Sequence, residues 1–349
     1  MEPATARASE PSSEPDSARD VGGTEQTMQA AIRDRYGPPD VLELQEIEKP
    51  ELADDGVLVR VRAASLNRAD WYGLTGRPLA GRVMMTGLLK PKSKLLGVDF
   101  AGTVEAVGKD VTEFRPGNEV FGGRSGSLAE YVCVRVGVVL KPANVSLEEA
   151  AAVPVAALTA LQGLRDKGQI QPGQNILING ASGGVGTFAV QIAKAFGAEV
   201  TAVCSTRNVD LARSLGADHI VDYTREDFTR SDRRYDLMLD VAGSRSWSEC
   251  KRVLAPEATL VVAGAPMGNR LLGPLGHVAR FRLAAARSSQ KVVFFIAKFN
   301  KPDMEVLREL LEAGKMTPTI DRRYELSGIA DAFRYMGEGH ARGKVVITV

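Results

Sequence analysis

The chain has 349 residues, 44% hydrophobic and 25% charged, an ordinary globular composition in a length that one apolar core seldom supports. Its 44 Lys and Arg against 43 Asp and Glu leave a net charge of +1, which disfavours nucleic acid as a partner, and no uninterrupted apolar run reaches membrane-spanning length. Cys133, Cys204 and Cys250 lie far apart in apolar or helical contexts and read as buried free thiols of a reducing compartment.

Residues 1–27, MEPATARASEPSSEPDSARDVGGTEQT, are rich in Pro, Ser, Glu and Ala without an apolar h-region, and read as a disordered tail. From Met28 to about Ala150, short β runs follow one another between turn residues: MQAAIRD, VLELQEI, GVLVRVRAASLN, AGTVEAVG, NEVFGG and AEYVCV. Such spacing predicts a compact, mostly antiparallel β domain. At SLEEAAAVPVAALTALQGL the period becomes helical, with Ser146 as N-cap and Glu149 completing a capping box, and the first domain ends here.

Strands and helices then alternate. NILIN precedes the helix TFAVQIAKAFG, followed by EVTAVC, the helix VDLARSLG, HIVDY, YDLMLDVAG, the helix SWSECKRVL and TLVVAG. This order predicts a doubly wound parallel sheet over 151–297. MEVLRELLEAG, TPTID, the helix SGIADAFRYMGEG and the strand KVVITV close the chain, and 298–349 is expected to return to the first domain. Two segments, 77–94 and 270–291, mix Leu, Met and Phe with Arg and Lys, and no acid occurs between Ala258 and Pro302. A basic apolar helix of this kind lies on a membrane surface, covers a hydrophobic pocket, or packs on the body with its basic face solvated.

NGASGGVG, 179–186, joins an apolar strand to a long helix. Ala181, Gly183 and Gly186 take the three small-residue positions of a dinucleotide fingerprint, which permit a tight turn, approach of a pyrophosphate to the backbone, and close helix–sheet packing. The next strand ends in CSTRN, 204–208, with no carboxylate for a ribose 2′-OH. The hydroxyls of Ser205 and Thr206 and the fork of Arg207 suit a 2′-phosphate instead, and predict NADP(H), with NADPH as the reduced cofactor.

With LLGVDFAGTVEAVG (95–108), NGASGGVGTFAVQIAKAFGA and GHARGKVVITV, residues 28–349 resemble the medium-chain dehydrogenase/reductase superfamily, in its zinc-free quinone oxidoreductase branch (zeta-crystallin-like and reticulon-4-interacting-protein-like members). The resemblance implies an α/β architecture: a GroES-like β-rich catalytic domain over 28–150 and 298–349, and a Rossmann NADP-binding domain over 151–297. It also implies a homodimer through the cofactor domains; the reducing compartment that the cysteines suggest is read as the cytoplasm. Asn118 stands in RPGNEV where the family usually has Asp. By position, Ser182, Gly184 and Val185 match pyrophosphate contacts, Lys194 and Tyr223 match contacts of the 2′-phosphate and adenosine end, and Thr159 matches a residue beside the nicotinamide. Gly264 and Ala265 are implied to border the nicotinamide, and His340, Ala341 and Arg342 to form a C-terminal cofactor contact. From the sequence alone Lys194 reads as a solvated helix lysine and Tyr223 as a core residue.

The catalytic zinc-ligand positions of metal-dependent members read Asn67 and Val98–Asp99, and His219, His277 and His340 show no ligand spacing, so no metal site is expected. Hydride transfer remains, with a small hydrophobic quinone or α,β-unsaturated carbonyl as acceptor. Asn67 is a candidate hydrogen-bond donor to the substrate carbonyl or the nicotinamide amide, and Tyr72 a candidate proton donor. Solvent protonation of a quinol dianion is an equal account, and Asp70 reads as a helix-start acid. The alternatives are a regulatory or scaffold protein that binds NADPH with little catalysis of its own, and an NADP-dependent alcohol or aldehyde reductase. The 270–291 segment adds peripheral membrane contact, compatible with any of them.

Overall fold

Alternation in the first third sorts side chains between two faces. In β3 (Val57–Leu66) Val57, Val59, Val61 and Ala63 are buried while Arg60 and Arg62 face outward. A computed structural model describes residues 26–79, 82, 87–264 and 274–349. Residues 1–25 of the expected tail lie outside these, and the first strand already includes Thr27. β1 (Thr27–Ile32) and β2 (Glu43–Glu48) form an antiparallel pair.

A larger sheet combines β3 with β4 (Asp99–Val107), β5 (Glu119–Gly123), β6 (Tyr131–Val134), β7 (Val138–Leu140), β14 (Ile320–Glu325) and β15 (Lys344–Thr348). Its path runs β14-β15-β3-β4-β5-β7 with β6 on β3, antiparallel except for β14 on β15. β14 and β15, near the end of the chain, thus join the sheet of the first third. Asn118 makes its turn as an aspartate would, its Oδ1 accepting from the Arg115 N–H at 2.9 Å.

The second sheet is wholly parallel: β8 (Asn175–Asn179), β9 (Glu199–Cys204), β10 (His219–Asp222), β11 (Tyr235–Asp240), β12 (Leu254–Val262) and β13 (Lys291–Phe294), in the order β10-β9-β8-β11-β12-β13. Strand order reverses between β8 and β11, the switch point where doubly wound sheets bind ligands. One apolar cluster joins Phe121 and Val346 of the first sheet to Ile176 and Leu237 of the second, so the two share a continuous core.

The helices bear out the capping signals and shift some boundaries. Ser146 caps α2 (Leu147–Ala151) with reciprocal bonds to Glu149, but Pro154 ends that run and opens α3 (Pro154–Leu161), since proline has no N–H to give. α1 (Arg68–Thr75) is the short helix after β3. α4 spans Gly184–Ala195, beginning three residues before the expected TFAVQ start. α5 (Val209–Ser214) and α6 (Trp247–Cys250) lie where the periodicity placed them, α6 shortened by a 3-10 turn. The 270–291 segment yields α7 (Pro274–Ala285), and the unexpected edge strand β13 starts at its last residue, Lys291. Phe281 of α7 is buried near Trp247, ring centroids 6.3 Å apart, while Arg280, Arg282 and Leu283 face solvent. Residues 80, 81 and 83–86 of the other basic segment lie outside the described residues. α8 (Lys301–Glu312) and α9 (Ile329–Gly337) lead into β14 and β15. All three cysteines are free, and burial, with Asp222 nearby, pushes the Cys204 thiol up to about 11.

Candidate active site

The turn after β8 is built by close approach. A Cβ on Gly186 would lie 2.1 Å from the Gly180 carbonyl oxygen and 2.7 Å from the Ala181 backbone, so only glycine lets α4 settle on the strand. A Cβ on Gly183, the N-cap of α4, meets only the Gly180 oxygen at 3.7 Å. Space is thus left over the first turn of α4, whose N–H groups have no partner within the helix and carry the positive end of its dipole. The amides of Gly180 and Ala181 both donate to the Val203 carbonyl, at 3.2 and 3.1 Å, fixing the turn against β9. Ser182 lies in the turn and Gly184 and Val185 open α4, all three partly buried. Asn208, buried and not anticipated from sequence, donates to Ser182 Oγ at 2.9 Å and Ser205 Oγ at 3.1 Å, and its own Oδ1 has no partner. These residues fit a pyrophosphate.

At the end of β9, Arg207 is exposed and donates from Nη2 to the His340 carbonyl at 2.8 Å. The neighbouring strand supplies an acid that the reading of CSTRN did not include. Asp222 accepts from the hydroxyls of Thr206 and Thr224, and the Thr206 bond leads the effects holding its carboxyl below the usual range. Lys194 is not a free helix lysine: its Nζ bonds Asp218 at 2.7 Å and the Ala198 carbonyl at 3.0 Å. Tyr223 lies just beyond β10 and is 56% exposed, which corrects its reading as a core residue. The Thr159 hydroxyl donates back to Val155 O at 2.7 Å, leaving its oxygen as acceptor. Gly264 closes on β11, its amide 3.1 Å from Asp240 O; Ala265 lies outside the described residues.

The other wall is formed by β3, α1, β4 and β15. Asn67 caps α1, its backbone N–H donating to Asp70 Oδ2 at 2.7 Å. Its side chain is not free to reach out as expected. Nδ2 donates to Asp99 Oδ2 at 2.8 Å, and Oδ1 accepts from Lys344 Nζ, which also bonds Asp99 Oδ2 at 3.1 Å. Ser65 Oγ and the Val155 N–H complete the carboxylate's shell, each at 2.9 Å, and Lys344 and Asp99 are almost wholly buried. Asn67 retains one amide proton and Lys344 one ammonium proton beyond these bonds. Lys344 begins β15 directly after Gly343, whose N–H donates to Ser182 O at 2.9 Å, so this cluster abuts the glycine turn. Nothing in the sequence reading singled out Lys344. Its one signal was a lysine opening the otherwise apolar strand KVVITV.

Asp70 is buried, and desolvation first, then the Asp99 charge, lifts its carboxyl to about 7 against the opposing Asn67 N–H bond and Lys344. Burial also raises the half-buried Tyr72 phenol, with Arg68 acting oppositely, so Tyr72 holds its proton at neutral pH. Among the described residues no three His, Cys, Asp or Glu side chains are grouped to hold a metal ion. The expected ligand positions carry an amide and a carboxylate already joined by an ammonium, a donor set that does not fit zinc.

A parallel sheet with a small-residue turn at its switch point, facing a polar cluster on a β-rich domain, defines a dinucleotide-binding oxidoreductase of the alcohol dehydrogenase type. Residues 53–144 match the alcohol dehydrogenase GroES-like domain, and residues 215–347 match the zinc-binding dehydrogenase family. The chain is 34% identical to the NAD(P)H oxidoreductase RTN4IP1, mitochondrial, of Mus musculus, covering 92% of this chain and 89% of that one. It is 35% identical to the 2-methylene-furan-3-one reductase of Solanum lycopersicum, over 89% of this chain and 76% of that one. The quinone oxidoreductase from Coxiella burnetii superposes with a TM-score of 0.80 at 30% identity, over 93% of this chain and 99% of that one. The chain belongs to the medium-chain dehydrogenase/reductase superfamily, with the quinone and enone oxidoreductases.

Proposed function

We propose that this chain transfers hydride from NADPH to a quinone or an α,β-unsaturated carbonyl, without zinc. The carrying observation is the buried Lys344–Asn67–Asp99 cluster, which puts hydrogen-bond donors where metal-dependent relatives would place a Lewis acid. When bound, the nicotinamide supplies hydride chemistry. The α4 turn binds the pyrophosphate, with Ser182 and Ser205 oriented by Asn208. Arg207 takes the 2′-phosphate, a reading supported by the lack of a carboxylate at the end of β9. Asn67 and Lys344 direct their remaining protons to the acceptor oxygen, stabilising charge as it develops there. Tyr72 holds the proton that completes enone reduction, and solvent serves a released quinol dianion. A conjugated acceptor suits this wall because its electrons relocate onto an oxygen that hydrogen bonds can stabilise.

The test is turnover by the purified chain. NADPH oxidation with enones and quinones should far exceed NADP+ reduction with simple alcohols, and faster alcohol oxidation would overturn the reading. NADPH should bind at least about ten-fold tighter than NADH, roughly 1.4 kcal/mol. We further propose domain limits at 150/151 and 297/298, a cytoplasmic location, and a homodimer through the cofactor domains. Light scattering in solution tests the last, and a monomeric mass would refute it.

A further inference from the structure

The turn between α9 and β15 belongs to the chain's first, β-rich sheet, yet it touches the cofactor side twice. The Gly343 N–H donates to Ser182 O, and the His340 carbonyl accepts from Arg207 Nη2 at 2.8 Å. Besides the Gly343 bond and the Lys344 N–H on Thr319 O at 2.8 Å, one carboxylate oxygen brackets this turn. Asp321 Oδ2, on β14, accepts from the Arg342 N–H at 2.9 Å and from the Tyr335 hydroxyl at 2.5 Å. Tyr335 comes from α9, and the Arg322 guanidinium lies 3.8 Å over its ring. Burial and the Asp321 carboxylate raise the Tyr335 phenol, while the charges of Arg322 and Arg207 act in the opposite sense, which places Arg207 within electrostatic reach of this bracket.

We propose that Asp321, with Tyr335, is a positioning residue for discrimination between NADPH and NADH: it fixes the 340–342 turn so that the His340 carbonyl pins one arm of Arg207 and presents the rest of the fork to the 2′-phosphate. This rests on the reading of Arg207 given above. A guanidinium fixed before binding loses less rotamer freedom on meeting the phosphate. Simple Coulomb reasoning gives the opposite sign, since removing a carboxylate near a phosphate should tighten NADPH.

The experiment is titration of the full chain and its variants with NADPH and NADH, with a melting curve for each. Asp321→Ala and Tyr335→Phe should each weaken NADPH about five-fold and leave NADH unchanged. Asp321→Asn should restore NADPH affinity, because an amide oxygen can accept both bonds without the charge. Tighter NADPH binding by Asp321→Ala would show that only its charge matters, and equal loss of both cofactors would show a merely structural role; either overturns the proposal. If Asp321→Ala fails to fold, Tyr335→Phe decides on the same criteria. Arg207→Ala separates the two readings. If it leaves the cofactor ratio unchanged, the 2′-phosphate assignment itself fails; if it abolishes the ratio while Asp321→Ala and Tyr335→Phe do not alter it, only the positioning proposal fails.

Discussion

Two glycines three residues apart should respond to the same substitution in opposite ways. Alanine at 186 places its Cβ 2.1 Å from the Gly180 oxygen and 2.7 Å from two backbone atoms of Ala181, none of which can swing aside. The helix must lift from the strand, an overpacking cost of about 1–3 kcal/mol. Alanine at 183 has φ of −84° and open space around its Cβ, so the fold tolerates it. Reduced freedom of the unfolded chain contributes about 0.4–1 kcal/mol in its favour. That methyl nevertheless enters the space over the first turn of α4. Loss of one charge-assisted bond to a phosphate there costs about 2 kcal/mol, about thirty-fold in affinity. Urea unfolding and calorimetric titration with NADPH, on both variants, separate the effects. Gly186→Ala should lower the unfolding midpoint, whereas Gly183→Ala should keep it and lose cofactor. A folded Gly183→Ala chain that binds NADPH as the parent does would refute the placement of the pyrophosphate.

Other residues give independent expectations. Lys344→Met leaves the Asp99 carboxylate buried without its cation, and should destabilise by about 3–5 kcal/mol in urea unfolding, with part of the loss recovered in the Lys344→Met/Asp99→Asn double variant. The Asp70 carboxyl titrates near 7 when folded against 3.8 otherwise, so the folded chain holds a proton that the unfolded chain releases between about pH 4 and 7. Stability should therefore fall as pH rises through that window, and Asp70→Asn should flatten the profile by roughly 4 kcal/mol across it, measured by unfolding at stepped pH. Tyr72→Phe should lower enone turnover about 100-fold with little change in NADPH affinity if Tyr72 supplies the proton; unchanged turnover assigns protonation to solvent. Asn67→Ala should reduce turnover or acceptor affinity, and no change in either would remove Asn67 from the site.

The architecture was legible because it is written in local periods. Two-residue alternation gave the β-rich sheet, and β–α alternation gave the parallel one, along with the turn between β8 and α4. The edge strand β13 was not, since KVVF starts at the last residue of a basic segment whose pattern reads as helix and is too short to show its own period. Tyr223 misled because an aromatic after HIVD extends a strand pattern that the backbone in fact ends at Asp222. The Lys344–Asn67–Asp99 cluster joins residues 277 and 245 positions apart through β15, β3 and β4, a juxtaposition set by sheet order and invisible to any local pattern. Asn67 is a candidate from sequence because it stands at a zinc-ligand position of the metal-dependent members and carries an amide able to bond a carbonyl. Its engagement by Lys344 emerges only once the last strand lies beside β3.

Hydride delivery to a conjugated carbon is the central claim, and isotope placement tests it most directly. NADPH deuterated at both C4 positions, turned over with an enone, should leave deuterium on the carbon β to the carbonyl of a saturated ketone. Deuterium on the carbonyl carbon of an allylic alcohol would contradict it, and would mark the chain as a carbonyl reductase.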